Sequence, residues 1–318
     1  AVNARWGSFY DALYGTDALG DMPKGNNYDS ERGARVVAFA KSHLDKFAPL
    51  LNASWSEINK IQLLENKIVL SSANNSNINL ENNNQIIGWR KNQKSILTEL
   101  ILLKNNLHCR ILINANDAIG KNDPANIADI LIESAISTIL DCEDSVATVD
   151  ADDKILAYRN WLGLVKGDLQ AEFKKNNQVV TRTLNKDIKF STNKGSEEFL
   201  KTRSLMLIRN VGHLMTTPAI LNKDNQEIGE GVMDAIITTL IATYDFKKET
   251  NKNSEHKSIY IVKPKMHGPE EVEFTDQLFS AVESLLDLPK STIKIGIMDE
   301  ERRTSVNLKE CIRAAKSR

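Results

Sequence analysis

The chain has 318 residues, and 41 Lys and Arg against 42 Asp and Glu give a formal net charge of −1. This length suffices for one large or two medium domains. A content of 41% hydrophobic and 26% charged residues is typical of a globular protein. The near-neutral charge disfavours a polybasic nucleic-acid or membrane-surface binder, and no apolar stretch approaches the roughly 20 residues that span a bilayer. We therefore expect neither a nucleic-acid nor a membrane partner.

The cysteines and the chain ends give two further expectations. Cys109, Cys142 and Cys311 are too few and too scattered for a disulfide framework or a CxxC metal site, and they indicate a reducing compartment. The chain begins with Ala1, and its last segment has a helical pattern without a Gly or Pro stop. We expect an internal piece of a longer protein, although a trimmed mature protein would also begin in this way.

The first third is rich in Asn and weakly periodic. Apolar residues at helical spacing predict a helix from Arg32 to Leu51. The Asn-rich run at 74–84 predicts a solvated loop, because Asn tolerates left-handed backbone. Short strands are predicted by the apolar runs at 67–70, 85–89, 95–103 and 107–113.

From Asp123 the pattern changes. Asp123 and Pro124 have the form of a helix N-cap with proline at the first helical position, and apolar residues at helical spacing predict a helix over 127–139. A repeated plan follows, in which an apolar run ends in charged or polar residues and an amphipathic helix comes next. The four runs lie at 137–144, 204–210, 258–267 and 292–300.

Strands that alternate with helices predict parallel βα units, with the chemistry at the carboxyl ends of the strands. Both a (β/α)8 barrel and an open doubly wound sheet place their sites there. The absence of a GxGxxG motif favours the barrel. Because only four units are visible after residue 136, the predicted fold class is α/β, a partial (β/α)8 TIM barrel.

The polar stretch 168–199, with a hairpin-like strand pair at 176–184, interrupts the repeat. We expect it to pack with the first part of the chain in a smaller α/β domain inserted into the barrel, since a long surface loop is uncommon. The predicted division is a barrel edge segment at 1–6, the inserted domain at 7–133 and 167–203, and the barrel at 134–166 and, truncated, at 204–318.

Acidic residues cluster after the first of these strands. Asp141, Glu143 and Asp144 follow the apolar run, and strand alternation puts Asp141 and Glu143 on one face and Asp144 on the other. Three carboxylates so close repel one another unless a divalent cation or a cluster of positive side chains lies among them. A solvated loop or a helix N-cap is the alternative.

Basic residues end the next two strands. Arg209 is costly to desolvate unless it meets an anion, and its planar fork suits a carboxylate. An ion pair with a neighbouring acid is an equally good interpretation. Lys263, Lys265 and His267 crowd the third strand end, where they either balance the acids or bind an anionic ligand. His213 is expected to be a packing residue rather than a base.

The fourth strand ends in the run DEERR at 299–303. Mg2+ takes one or two carboxylates together with waters and substrate oxygens, so Glu300 and a carboxylate from elsewhere could hold it. The alternative is a solvated helix start, because charge runs usually have that role.

Several long stretches resemble the malate synthases of the G class. The resemblance covers essentially the whole chain and is loosest at 21–119. The stretches are ARWGSFYDALYGTD at 4–17, GKNDPANIADILIESAISTILDCEDSVATVDADDKILAYRNWLGL at 120–164, SLMLIRNVGHLMTTPAI at 204–220, YIVKPKMHGPEEVEF at 260–274 and GIMDEERRTSVNL at 296–308.

This resemblance implies a monomeric, cytoplasmic, Mg2+-dependent enzyme of the glyoxylate bypass. Such an enzyme condenses acetyl-CoA with glyoxylate and water to give malate and CoA. By motif position, Arg209 corresponds to the catalytic arginine that binds glyoxylate, and Glu300 to a carboxylate that binds Mg2+ and glyoxylate. Asp141 and Glu143 correspond to the acids that surround the water ligands of the metal. Ser145 and Arg182 correspond to residues that contact acetyl-CoA.

The same resemblance implies that this chain is incomplete as a catalyst. In the family, the second metal carboxylate and the general-base aspartate lie beyond the position of Arg318. We therefore expect the isolated chain to be inactive, and to be poorly stable because a partial barrel leaves two strand edges unpaired. The alternatives are a related Mg2+-dependent acyl-CoA lyase or aldolase barrel, and a non-catalytic piece with only a binding role.

Overall fold

A computed structural model describes residues 2–25, 27–175 and 178–318, with the side chain of residue 175 left out. The chain divides into two compact units. The barrel unit comprises Ala1–Asn3, Ile136–Lys186 and Arg203–Arg318, and the insert unit comprises Ala4–Ala135 and Asp187–Thr202. The stretch 167–186 thus belongs to the barrel unit, whereas the sequence-based division placed it in the inserted domain.

Both units contain short strands. In chain order they are β1 (Trp6–Ser8), β2 (Lys60–Leu64), β3 (Lys67–Ser71), β4 (Asn77–Ile78), β5 (Ile86–Lys91), β6 (Leu97–Lys104), β7 (Leu107–Ile113), β8 (Ile127–Glu133), β9 (Ser137–Asp141), β10 (Ala171–Lys175), β11 (Gln178–Arg182), β12 (Ile188–Thr192), β13 (Glu197–Leu200), β14 (Leu205–Arg209), β15 (Thr216–Leu221), β16 (Glu227–Gly229), β17 (Ile259–Lys263) and β18 (Ile293–Ile297).

The longest α-helices flank these strands. In chain order the helices are α1 (Phe9–Gly15), α2 (Ser30–Phe47), α3 (Ala151–Lys166), α4 (Glu230–Ala242), α5 (Pro269–Leu285), α6 (Arg302–Val306) and α7 (Leu308–Ala314). Within the described residues, no helix is both long enough and apolar enough to cross a membrane.

The insert unit is built on a seven-stranded sheet in the order β1-β8-β7-β6-β5-β12-β13, in which all neighbours are antiparallel. Asp29 caps the start of helix α2, because its carboxylate accepts hydrogen bonds from the N–H groups of Glu31 and Arg32 in the first turn. The helix contributes Val36, Ala40 and Leu44 to a core that also contains Leu100 of β6. The predicted helix is therefore present, but it ends at Phe47 rather than Leu51.

The helix predicted over 127–139 is wrong, because the segment forms β8 and β9 instead. The Asp123 carboxylate accepts hydrogen bonds from the N–H groups of Ala125 and Ile127, so it closes a turn rather than capping a helix. Pairing with β7 shifts between Leu112 and Ile113, which leaves an extra residue between Ile127 and Asp129. This bulge brings Ile127 and Ile130 to the same buried face, and their spacing of three imitates a helix.

The barrel unit contains a parallel sheet in the order β9-β14-β17-β18. Helices α4 and α5 connect its later strands, as the alternating pattern predicts. Trp161 of α3, Phe279 of α5 and Ile261 of β17 lie in one core between sheet and helices. In the described part of the chain this sheet is open, with four strands. The predicted hairpin corresponds to β10 and β11, which pair antiparallel, and its residues 176 and 177 lie outside the described residues.

Candidate active site

The carboxyl ends of the four parallel strands lie side by side. Arg209, at the end of β14, is in register with Asp141 of β9 on one side and Val262 of β17 on the other. Lys263, at the end of β17, is in register with Ile297 of β18. Residues that end or follow these strands therefore share one edge of the sheet, which we call the rim.

Arg209 gathers the three acids of the first strand end. Its Nη2 lies 2.9 Å from Oε2 of Glu143 and 2.8 Å from Oδ2 of Asp144, and its Nη1 lies 3.4 Å from Oδ2 of Asp141. The prediction that Asp144 faces away from the other acids is wrong, because β9 ends at Asp141 and the chain turns there. The positive group among these carboxylates is thus, at least in part, a guanidinium.

Two acids of this cluster, Asp141 and Asp144, are held in their charged form. Burial raises the pKa of Asp141, but hydrogen bonds from the segment Glu143–Ser145 and the Arg209 charge outweigh burial and keep the pKa below its usual value. Bonds from Lys265 and Arg209 likewise lower the pKa of Asp144. These two carboxylates are therefore ionised at neutral pH.

Lys265 connects the acid cluster to the fourth strand. Its Nζ lies 2.9 Å from Oε2 of Glu143 and 2.8 Å from Oδ1 of Asp144. Its backbone N–H donates to Oε1 of Glu300 at 2.8 Å. Arg209 and Glu300 thus lie at the same part of the rim, joined through Lys265 and the acids that both cations contact.

One donor of Arg209 is left over. Nε is buried and has no hydrogen-bond partner among the described residues, although the guanidinium binds three carboxylates through its other nitrogens. A buried donor without an acceptor is costly. Arg209 therefore keeps one unsatisfied donor, which an acceptor oxygen would have to reach inside the cluster.

A cavity of about 820 Å³ opens at the rim. Its polar wall includes Glu143, Asp144 and Lys265, and its apolar wall includes Val149 and Leu214. Arg209 is not among its lining residues and adjoins it through Glu143 and Asp144. A site of this size, with a few charged groups on one side, accommodates a small-molecule ligand.

The carboxylate oxygens at the rim are of the type that binds a hard divalent cation. Glu300 is exposed, and its Oε2 makes no hydrogen bond within the described structure. The described residues contain no group of three or more His, Cys, Asp or Glu side chains arranged to hold a metal. Mg2+ keeps several waters and needs only one or two carboxylates, so Glu300 with a further oxygen donor suffices.

The other predicted residues lie in different surroundings. The backbone N–H of Ser145 donates to Oδ2 of Asp141 at 3.0 Å, so Ser145 borders the acid cluster. Arg182 lies on β11 with its guanidinium 5.0 Å from the ring centre of Phe173, and no hydrogen bond joins it to the cluster in the described structure. The half-buried His213 is within hydrogen-bond distance of Thr275, in keeping with a packing role.

Sequence reasoning missed a buried ionic network beneath the rim. Lys154 of α3 and Asp234 of α4 are almost fully buried, and Lys154 Nζ lies 3.0 Å from Oδ1 of Asp234 and 2.6 Å from Oε1 of Glu230. A signal was present, because Lys154 shares the buried face of α3 with Ala157 and Trp161. A lysine on such a face requires a counter-ion.

Two family descriptions match separate parts of the chain. Residues 205–318 match the malate synthase TIM barrel domain, and residues 28–105 match the malate synthase G alpha-beta insertion domain. These matches confirm the predicted fold class, a partial (β/α)8 barrel with an inserted α/β domain. They also account for the open parallel sheet of the barrel unit and the antiparallel sheet of the insert unit.

Curated relatives named malate synthase G match throughout. The relative from Halalkalibacterium halodurans is 46% identical over the whole chain, which corresponds to 44% of the relative. Those from Corynebacterium efficiens and Corynebacterium glutamicum are each 48% identical over 98% and 97% of the chain and 42% of their own length. The chain thus spans less than half the length of these relatives, and by sequence and fold it belongs to the malate synthase G family.

Proposed function

We propose that the protein catalyses the malate synthase reaction, the condensation of acetyl-CoA with glyoxylate and water to give malate and CoA. One observation carries the proposal. Arg209, its three acids and Lys265 are gathered beside Glu300 at one barrel rim, at the positions where the family motifs occur. The match to the insertion domain supports this reaction over that of a related acyl-CoA lyase or aldolase barrel.

Arg209 has the central role. Its free Nε–H is the donor for an oxygen of glyoxylate, and the same guanidinium stabilises negative charge on the acetyl oxygen as the methyl proton leaves. The surrounding acids hold the guanidinium in place, because they occupy both terminal nitrogens. A preorganised cation of this kind needs no rearrangement when charge develops.

Mg2+ is the proposed cofactor, with Glu300 as a ligand and with Asp141 and Glu143 as acceptors for its waters. When bound, Mg2+ supplies Lewis-acid polarisation of the glyoxylate aldehyde. Asp141 and Glu143 are already turned toward Arg209, so they also fix the distance between that cation and the metal-binding side of the rim.

Acetyl-CoA is the proposed second substrate. Ser145 borders the cavity segment that includes Val146 and Val149, and this apolar wall suits the thioester arm. Arg182 is the proposed contact for a more distant part of CoA, consistent with its exposed position on β11. We further propose that the complete protein is a cytoplasmic monomer.

Titration of the purified chain with glyoxylate, with and without Mg2+, tests the binding half of this proposal. We expect Mg2+-dependent binding that Arg209→Lys weakens about 10- to 100-fold, the effect of losing a charge-assisted hydrogen bond. Glu300→Gln should remove the dependence on Mg2+. Absence of Mg2+-dependent binding in a folded chain would contradict the proposed site.

The isolated chain is proposed to bind without turning over, because the resemblance assigns the general base and the second metal carboxylate to segments outside it. Incubation with acetyl-CoA, glyoxylate and Mg2+ should release no CoA above the blank. Release of CoA that disappears in Arg209→Lys would show that the chain alone is catalytic.

A further inference from the structure

The backbone of Val211, two residues after Arg209, is bound at its N–H and at its carbonyl oxygen by two buried ionisable side chains. Its N–H donates to Oδ2 of Asp234 at 2.8 Å, and its carbonyl oxygen accepts from Nζ of Lys263 at 2.5 Å. Both Asp234 and Lys263 are 0% exposed. The segment that follows β14 is thus fixed by two buried ionisable side chains rather than by neutral ones.

The same arrangement reaches the acid cluster. The N–H of Gly212, which belongs to the same peptide group as the Val211 carbonyl, donates to Oε1 of Glu143 at 3.3 Å. Nζ of Lys154, which pairs with Asp234, also donates to the carbonyl of Cys142 at 3.2 Å. A shift of the peptide group between Val211 and Gly212 would therefore move Glu143 and, through its contact with the guanidinium, Arg209.

There is little free space around the Lys263 ammonium. A Cβ placed on Gly231 of α4 would lie 2.6 Å from Nζ of Lys263 and 2.7 Å from the carbonyl oxygen of Gly212. The lack of a side chain at position 231 lets the helix approach both groups. The ammonium of Lys263 is thus confined to one position, between the Val211 carbonyl and the start of α4.

Burying the Lys263 ammonium at this position lowers the stability of the fold. Lys263 makes no salt bridge within the described residues, and its close partner is a neutral carbonyl. Burial lowers the pKa of Lys263 to about 8, even though Asp234 and Glu143 oppose this effect. An apolar side chain of similar length would remove the cost of burying the charge. A costly group directly under a functional rim indicates a role in the site rather than in the fold.

We propose that Lys263 is a positioning residue, which holds the peptide group between Val211 and Gly212 in place and thereby fixes Glu143 and the guanidinium of Arg209 for binding an oxo-carboxylate. This inference rests on the proposed function, because the anion it serves is glyoxylate. Lys263 acts through the peptide and does not itself touch the ligand.

The test compares two conservative variants of the chain, Lys263→Met and Tyr158→Phe. Tyr158 is the matched control, since its hydroxyl donates to Oδ1 of Asp234 at 2.6 Å, on the carboxylate oxygen that does not hold Val211. The readouts are the glyoxylate affinity in the presence of Mg2+ and the Nε–H resonance of Arg209 in nitrogen-15 spectra, assigned with Arg209→Lys. Thermal unfolding measures stability in parallel.

We expect Lys263→Met to move or broaden the Arg209 resonance and to weaken glyoxylate binding about tenfold, the scale of a small misplacement in a preorganised site. Its stability should be unchanged or higher, a combination that a purely structural role would not produce. Tyr158→Phe should leave the affinity within about twofold of the wild type. Gly231→Ala, which pushes on the same ammonium from the helix, should reproduce the loss with the lysine retained.

Two outcomes separate the inference from the function it rests on. A folded Lys263→Met variant with wild-type affinity and an unmoved Arg209 resonance would overturn the positioning role. If the wild type fails to bind glyoxylate, the proposed function is wrong. In that case the Arg209 resonance, compared between the wild type and the variants without ligand, still decides whether Lys263 positions the guanidinium. Should Lys263→Met fail to fold, Gly231→Ala carries the same comparison.

Discussion

Replacing Lys154 by methionine should strongly destabilise the barrel unit. The side chain of Lys154 is 2% exposed, and its Nζ lies 2.6 Å from Oε1 of Glu230 and 3.0 Å from Oδ1 of Asp234. Methionine fills the same space but leaves two buried carboxylates without this partner. Removing one member of a buried ion pair costs about 3–5 kcal/mol. Because Asp234 keeps its bonds from Tyr158 and Val211, we expect a loss near the lower end, about 3 kcal/mol.

Hydrogen exchange of the backbone amides of α3 and α4 is the suitable measurement, since it resolves the free energy of opening element by element. Peptides from the insert unit, such as α2, provide an internal reference. The double variant Lys154→Met, Glu230→Gln should be less destabilised than the sum of the two single variants, because both remove the same interaction. A loss below about 1 kcal/mol for Lys154→Met, or strict additivity, would refute the reasoning.

Three further outcomes follow from the same structure. Between pH 8 and 10 the unfolded chain binds a proton at residue 263 that the folded chain has lost, so the unfolding free energy of the wild type should rise relative to Lys263→Met by about 2 kcal/mol, as measured by urea titration at each pH. In Arg209→Met the pKa of Asp141, followed by carbon-13 resonance, should move up toward its usual value because a charge partner is lost, and an unchanged pKa would contradict the assigned partner. Burial raises the pKa of the Cys142 thiol to about 12, so a thiol reagent at pH 8 should modify it only after unfolding.

The strand ends were predictable from sequence because each parallel strand of the barrel unit is an apolar run bounded by charged residues. That pattern gave the positions of β9, β14, β17 and β18 to within a few residues. It also pointed to Arg209 and the acids around Asp141 as neighbours, since parallel strands end at one edge.

Other features depended on contacts that a pattern cannot contain. The bulge in β8 gave Ile127 and Ile130 a helical spacing in a strand, and only pairing with β7 reveals it. Lys154 was visible as a charge on an apolar helix face, but Asp234 lies 80 positions further along the chain. Nothing local identifies that partner, because the pairing arises from the packing of α3 against α4.

Lys154 and Lys263 show that burial alone does not decide what a charged side chain does for the protein. Burial alone would lower the pKa of Lys154, but Asp234 and Glu230 outweigh it and raise the pKa. Lys263 is as deeply buried, yet its close partner is a carbonyl oxygen and its pKa falls. The first lysine therefore stabilises the barrel unit, whereas the second is held at a cost to stability. Methionine at position 154 should accordingly lower stability, whereas methionine at position 263 should leave stability unchanged or raise it while weakening the binding of glyoxylate.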